Sequence, residues 1–127
     1  MTLSVKSNVR DEGPERSAAL VALEAKAAHV AARLAEAANP KRLLILCHLA
    51  KLEQEGGGEA SVGALQKEIG LSQSALSQHL AVLRREKLVA TRRQAQFIHY
   101  SLASEDVQAV LTVLYERFCA PDANPPE

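Results

Sequence analysis

Apolar positions along the chain fall into several blocks of helical period and one late block of period two, separated by polar breaks. Residues 1–14 show no periodicity and contain Gly13 and Pro14, which reads as a mobile N-terminal arm. From residue 15 to 38, Leu20, Leu23, Ala27, Val30, Leu34 and Ala37 recur at steps of three and four, the seam of a helix that packs on another helix. Alanines beside this seam permit close approach. Leu20, Leu23, Ala27, Val30 and Leu34 are therefore expected at a homodimer interface. Asn39 ends the helix and caps the next, where Pro40 suits the first helical position. That second helix, residues 40 to about 52, is apolar on nearly every side and is expected to be buried. The run "EQEGGGE" breaks it.

The segment "SVGALQKEIGLSQSALSQHLAVLRREKLV" then predicts two short helices. Ser61 caps the first, with Val62, Leu65 and Ile69 inward; Gly70 supplies a left-handed turn; Ser72 caps the second, which buries Leu76, Leu80 and Leu83. Two helices joined by a tight glycine turn form a helix-turn-helix. After Leu88 the period becomes two. "VATRR" and "QFIHYSL" predict a hairpin turning near Gln94 and Ala95. Ser104 caps a last helix with Val107, Val110, Leu111, Leu114 and Phe118 inward, ending at Cys119 before Pro121. The expected fold is mainly α with a small β-hairpin: a winged helix-turn-helix in residues 15–120, dimerising through its first and last helices, with a tail at 121–127.

Composition supports helix over sheet, since Ala and Leu are abundant, aromatics make up 3% and Trp is absent. A length of 127 residues suits a single compact core. No run of about 18 apolar residues occurs and the N-terminus lacks an apolar signal core, so a cytoplasmic protein without membrane contact is expected. In a reducing compartment the two cysteines do not make a structural framework.

Charge changes the picture only when it is localised. Lys plus Arg and Asp plus Glu balance at 15 each. Yet between Ser72 and Tyr100 the cations Arg84, Arg85, Lys87, Arg92 and Arg93 face a single acid, Glu86. Arg84 and Arg85 would contact phosphate, and Arg92 and Arg93 near the hairpin tip would reach the adjacent minor groove. Gln73, Ser74, Ser77 and Gln78, on the polar N-terminal turns of the second short helix, carry groups that suit base edges in the major groove. His79 reads as a packing or phosphate-facing residue. The expected partner is double-stranded operator DNA with an inverted repeat, its half-sites about 34 Å apart.

Cys47, inside "LLILCHLA", has three readings by itself: a small core residue, a metal ligand, or half of a redox pair with Cys119, the other cysteine.

From Asn39 to Ala120 the chain resembles the ArsR/SmtB family of dimeric winged-helix repressors, through "NPKRLLIL", the helix-turn-helix segment quoted above and a wing ending in "HYSL". Lys87 stands where that family often has a turn glycine, and the wing tip "RRQAQ" lacks glycine. The family's effectors are mostly metals, and neither familiar metal site is intact. Ala60 and Ser61 stand where one site needs cysteines, and Gln108 follows Asp106 where the other needs histidine. No metal or cofactor is therefore expected. The pairing of Cys47 with Cys119 resembles the BigR/SqrR branch. That resemblance implies a repressor sensing reactive sulfur species such as persulfides through a dithiol that closes to a disulfide or polysulfide bridge. A site slightly too wide for a direct disulfide would favour persulfide over peroxide. Arg117, Arg42 and His48 are candidates to assist ionisation of Cys119.

Three alternatives remain beside this reading. A zinc- or copper-responsive repressor could use Cys47, His48, Cys119 and a ligand from elsewhere, although neighbouring positions on a helix point about 100° apart. A thiol oxidoreductase would lack the usual CxxC motif. A helix-turn-helix dimer that only binds protein would leave the basic wing without a role.

Overall fold

The computed structural model describes residues 16–121, so the expected arm and nearly all of the expected tail lie outside the described residues. The chain divides after Ala32 into two compact units.

The boundary falls within helix α1, Ala18–Ala37. Ser17 starts α1, its hydroxyl accepting from the Leu20 amide at 3.0 Å, and Arg16 pairs with Glu24 at 2.7 Å. No residue of this 20-residue helix is buried. Leu23 and Leu34, both on the predicted seam, are each 59% exposed.

The second unit carries α2 (Pro40–Glu55), β1 (Ala60–Ser61), α3 (Val62–Ile69), α4 (Gln73–Arg85), β2 (Val89–Gln94), β3 (Phe97–Leu102) and α5 (Glu105–Leu114), then a π-helical turn, Tyr115–Cys119. Its helix starts follow from local chemistry. Asn39 accepts from the Lys41 and Arg42 amides, and Ser61, Ser72 and Ser104 accept from the amides of Ala64, Ala75 and Val107, so each helix start has a side-chain oxygen for one or two of its orphan N-terminal donors. Gly70 ends α3 with φ 82° and ψ 22°, a left-handed conformation that costs glycine little.

Helix α4 ends differently. Leu88 N donates to Leu83 O and Lys87 N to Arg84 O, the paired bonds of a Schellman motif, and Lys87 takes the left-handed position with φ 61°. The lysine thus occupies the conformation for which glycine is best suited.

Beyond it, β2 and β3 pair antiparallel from Val89↔Leu102 to Gln94↔Phe97, turning at Ala95 and Gln96, one residue later than expected. Strand β1, which the sequence reading lacked, adds to the other side of β3 through Ala60↔Tyr100 and Ser61↔His99. Two residues are too few to display a period of two. The result is a winged helix-turn-helix with a three-stranded antiparallel wing sheet.

The core gathers Ile45, Leu46, Leu49 and Ala50 of α2 with Leu65, Leu76, Leu80, Leu83, Val89, Leu102, Val107 and Leu111. Two expectations about it need correction. Helix α2 is not buried all round: Leu44 is 45% exposed, and Leu43 is exposed as well, because the core closes on the opposite face. On the last helix, Val107 and Leu111 face inward, while Val110 is exposed and Phe118 is 68% exposed. The π turn explains Phe118. Ala120 N donates to Tyr115 O at 2.8 Å, an i→i+5 bond that turns the chain less per residue than the α-helix's about 100°. A residue in α phase with Leu111 and Leu114 is therefore rotated off the core.

Candidate functional site

Burying Leu76, Leu80 and Leu83 turns the opposite face of α4 to solvent. Gln73, Ser74, Ser77 and Gln78 are all exposed there, as are Arg84 and Arg85 on the last turn. Ser77, Arg84 and Arg85 share an open cleft of about 440 Å³ with Tyr100 of the wing sheet, so one residue of the polar row, two cations and the wing border one open cleft. Arg93 is exposed on β2, with no ion pair among the described residues.

Arg92 is placed differently from its neighbour. Its guanidinium grips Glu59 through Nε to Oε2 at 2.9 Å and Nη2 to Oε1 at 2.7 Å, and Nη1 reaches Gln94 Oε1 at 3.3 Å. The fork-to-fork pair holds the Glu59 carboxyl below the usual carboxylate range through its hydrogen bonds. Glu59 escaped the sequence reading because nothing near "GGGE" signals that β1 would carry it to the wing.

The two cysteines, 72 residues apart, meet. Cys119 Sγ lies 3.8 Å from Cys47 Sγ, within the weak hydrogen-bond reach of thiols. Cys47 is 6% exposed and Cys119 is exposed. Their positions follow from opposite causes. Cys47 sits on the buried face of α2, whereas continued α geometry would rotate Cys119 well away from the face that carries Leu111 and Leu114; the π turn brings it back over Cys47. Burial pushes the Cys47 thiol up from 9.0 to about 12, and the neighbouring Cys119 sulfur adds to this.

An open cleft of about 420 Å³ gives access to both sulfurs, walled by Pro40, Leu43, Leu44 and Tyr115 with His48 and Lys51 at its edge. Of the three candidate helpers for Cys119, His48 lines this cleft and Arg117 is exposed on the same turn. Arg42 is turned elsewhere, onto Glu36 and His79. Among the described residues no group of three or more His, Cys, Asp or Glu side chains is arranged to hold a metal ion. No described helix is long and apolar enough to cross a membrane.

A helix-turn-helix with an exposed polar row on its second helix, followed by a wing, defines a winged helix-turn-helix DNA-binding protein. A family model described as "Bacterial regulatory protein, arsR family" matches residues 39–91. The biofilm growth-associated repressor of Agrobacterium fabrum is 42% identical over 105 residues, which cover 83% of this chain and 85% of that one. Among solved structures, reduced HlyU from Vibrio cholerae aligns with a TM-score of 0.68 at 44% identity, covering 77% of this chain and 97% of its own. The transcriptional repressor BigR from Xylella fastidiosa aligns at 0.65 and 38% identity, covering 80% and 97%. The chain belongs to the ArsR family, and it is a DNA-binding regulator of transcription rather than an enzyme.

Proposed function

We propose that this protein is a homodimeric operator-binding repressor whose DNA affinity is set by the oxidation state of the Cys47/Cys119 dithiol, with persulfides as the oxidant. The observation that carries this is the 3.8 Å approach of two sulfurs 72 residues apart in a family whose work is transcription. One of the similar structures is of HlyU in a reduced form, which agrees with redox state being a variable among these relatives.

The chemistry assigns the thiols unequal roles. Cys119, the exposed sulfur, attacks the sulfane sulfur of R–S–SH as its thiolate and expels R–S⁻, which leaves as R–SH with the thiol proton. Cys47 then attacks the Cys119 sulfur and expels HS⁻, which leaves as H₂S with the Cys47 proton. Two thiols are oxidised to one disulfide, and one sulfane sulfur is reduced to sulfide. Each additional persulfide consumed before closure adds one sulfur to the bridge and releases one more R–SH. At 3.8 Å the two unbonded sulfurs are in contact, a separation from which a direct disulfide or a bridge with inserted sulfur can close.

DNA reading follows from the exposed surface. In a dimer formed through α1, whose apolar seam is left unburied by the described residues, two α4 helices would meet half-sites about one helical turn apart. Gln73, Ser74, Ser77 and Gln78 face base edges, Arg84, Arg85 and Arg93 take phosphates, and Arg92 serves the wing while held by Glu59. A bridge tying α2 to the segment after α5 would shift the two reading heads out of register by fitting the DNA-competent arrangement less well.

The test pairs mass spectrometry with titration of a duplex that the reduced protein selects from a random library. Persulfide-treated wild type is expected to carry an intramolecular bridge and to lose affinity, while Cys47→Ser and Cys119→Ser keep theirs. Equal affinity of reduced and bridged protein for that duplex would overturn the proposal.

A further inference from the structure

Away from the dithiol, polar ties join the C-terminal part of α1 and the first turn of α2 to helix α4. Arg42 of α2 is engaged on two sides. Its Nη1 donates to Glu36 Oε1 at 2.6 Å and to the Glu36 carbonyl at 3.4 Å, and its Nε donates to His79 Nδ1 at 3.0 Å. One turn before Glu36, Arg33 donates from Nε to the Glu86 carbonyl at 3.2 Å and from Nη2 to the Lys87 carbonyl at 2.9 Å. Helix α4 is thus gripped in its middle and again where it ends.

A guanidinium has no lone pair to offer, so the Arg42 contact requires an unprotonated Nδ1 on His79. The ring must then be neutral, with its proton on Nε2. Adding a second proton removes the acceptor and sets two cations about 3 Å apart, where repulsion is strong. His79 lies between Gln78 and Leu80, so a change of its grip alters the rotation of the helix that carries the polar row.

We propose that Arg42 is a positioning residue for α4, fixing the rotational setting of its exposed polar row by donating to neutral His79 and losing that hold when His79 is protonated. This rests on the reading of α4 as the operator-contacting helix. Burial and then the Arg42 charge both disfavour protonation of His79, so the tie is intact at neutral pH. The charged groups at this ring are Arg42 from α2 and, behind it, Glu36 from the last turn of α1; among the described residues neither α3 nor the wing hydrogen-bonds to it.

The predicted sign is unusual. Added positive charge ordinarily strengthens DNA binding, whereas loss of this tie weakens it. The experiment titrates reduced full-length protein with the selected duplex from about pH 7.5 to about pH 5.5. Each variant is referred to its own affinity at the upper pH. The wild type is expected to lose about tenfold more affinity than His79→Gln, whose amide oxygen accepts from Arg42 without titrating. Arg42→Met is expected to bind about tenfold more weakly at the upper pH with no such acid loss, and Arg42→Lys to recover part of it. Thermal melts monitored by circular dichroism confirm that each variant is folded. Matching pH profiles for wild type and His79→Gln, or tighter wild-type binding in acid, would overturn the inference. If Gln78→Ala and Gln73→Ala left both affinity and sequence preference unchanged, the reading of α4 beneath it would fail first.

Discussion

At the scale of single residues, the dithiol is asymmetric, and the asymmetry is testable. Cys47 is held in its neutral form by burial up to about pH 12, against 9.0 for a free thiol. Iodoacetamide should therefore alkylate Cys119 first throughout the range below pH 9, with Cys47 following more slowly; peptide mapping that found Cys47 modified first would contradict this order. The same shift couples to stability. Between pH 9 and 12 the unfolded chain loses the Cys47 proton while the folded chain keeps it, so this contribution is full below pH 9 and falls as pH rises. Urea unfolding of the reduced protein should lose stability over that window more steeply in wild type than in Cys47→Ala.

At the scale of elements, the π turn and the end of α4 each break a local rule. In the π turn, Tyr115–Cys119, one extra residue is accommodated in the last turn, and this places Cys119 above Cys47. Deleting Arg117 should close the turn to α geometry while presenting the cysteine at a similar angle. Persulfide treatment of that variant should still give the intramolecular bridge by mass spectrometry, and its absence would refute the phase argument. At the end of α4, Lys87 holds a left-handed conformation that costs an L-residue about 1 kcal/mol or more, partly offset because glycine loses more entropy on folding. Lys87→Gly should accordingly stabilise the protein by up to roughly 1 kcal/mol, read as a higher urea midpoint at unchanged slope.

At the scale of the whole molecule, α1 raises the question of what covers it. A helix of 20 residues with no buried side chain and an apolar seam gains little burial from the other described residues, and in proteins most helical stability comes from packing an apolar face rather than from propensity. Under the proposed homodimer, a second copy packed seam to seam would supply that burial and bring two α4 helices onto one duplex. Leu23→Glu combined with Leu34→Glu should give a monomer in sedimentation velocity. Losing two-site engagement should then weaken binding to the selected duplex about a hundredfold or more. A dimer that persists with unchanged affinity would place the interface elsewhere.

What the sequence determined by itself is the part encoded over a few neighbouring positions. Asn39, Ser61, Ser72 and Ser104 start helices because a side-chain oxygen meets an amide two or three residues on, and Gly70 ends one because φ there must be positive. The stripe of Leu76, Leu80 and Leu83 is a property of period, so the helix-turn-helix and its exposed polar row are legible in the sequence alone. The dithiol was legible only through family resemblance, since no spacing rule joins positions 47 and 119. Tertiary structure alone decided the rest. The distance between the sulfurs, the rotation that exposes Phe118 while delivering Cys119, the bond of Arg92 to Glu59 and that of Arg42 to His79 all pair groups from different elements. A cap requires only its own turn, but a contact between elements depends on how every layer of the core packs, and no local pattern carries that information.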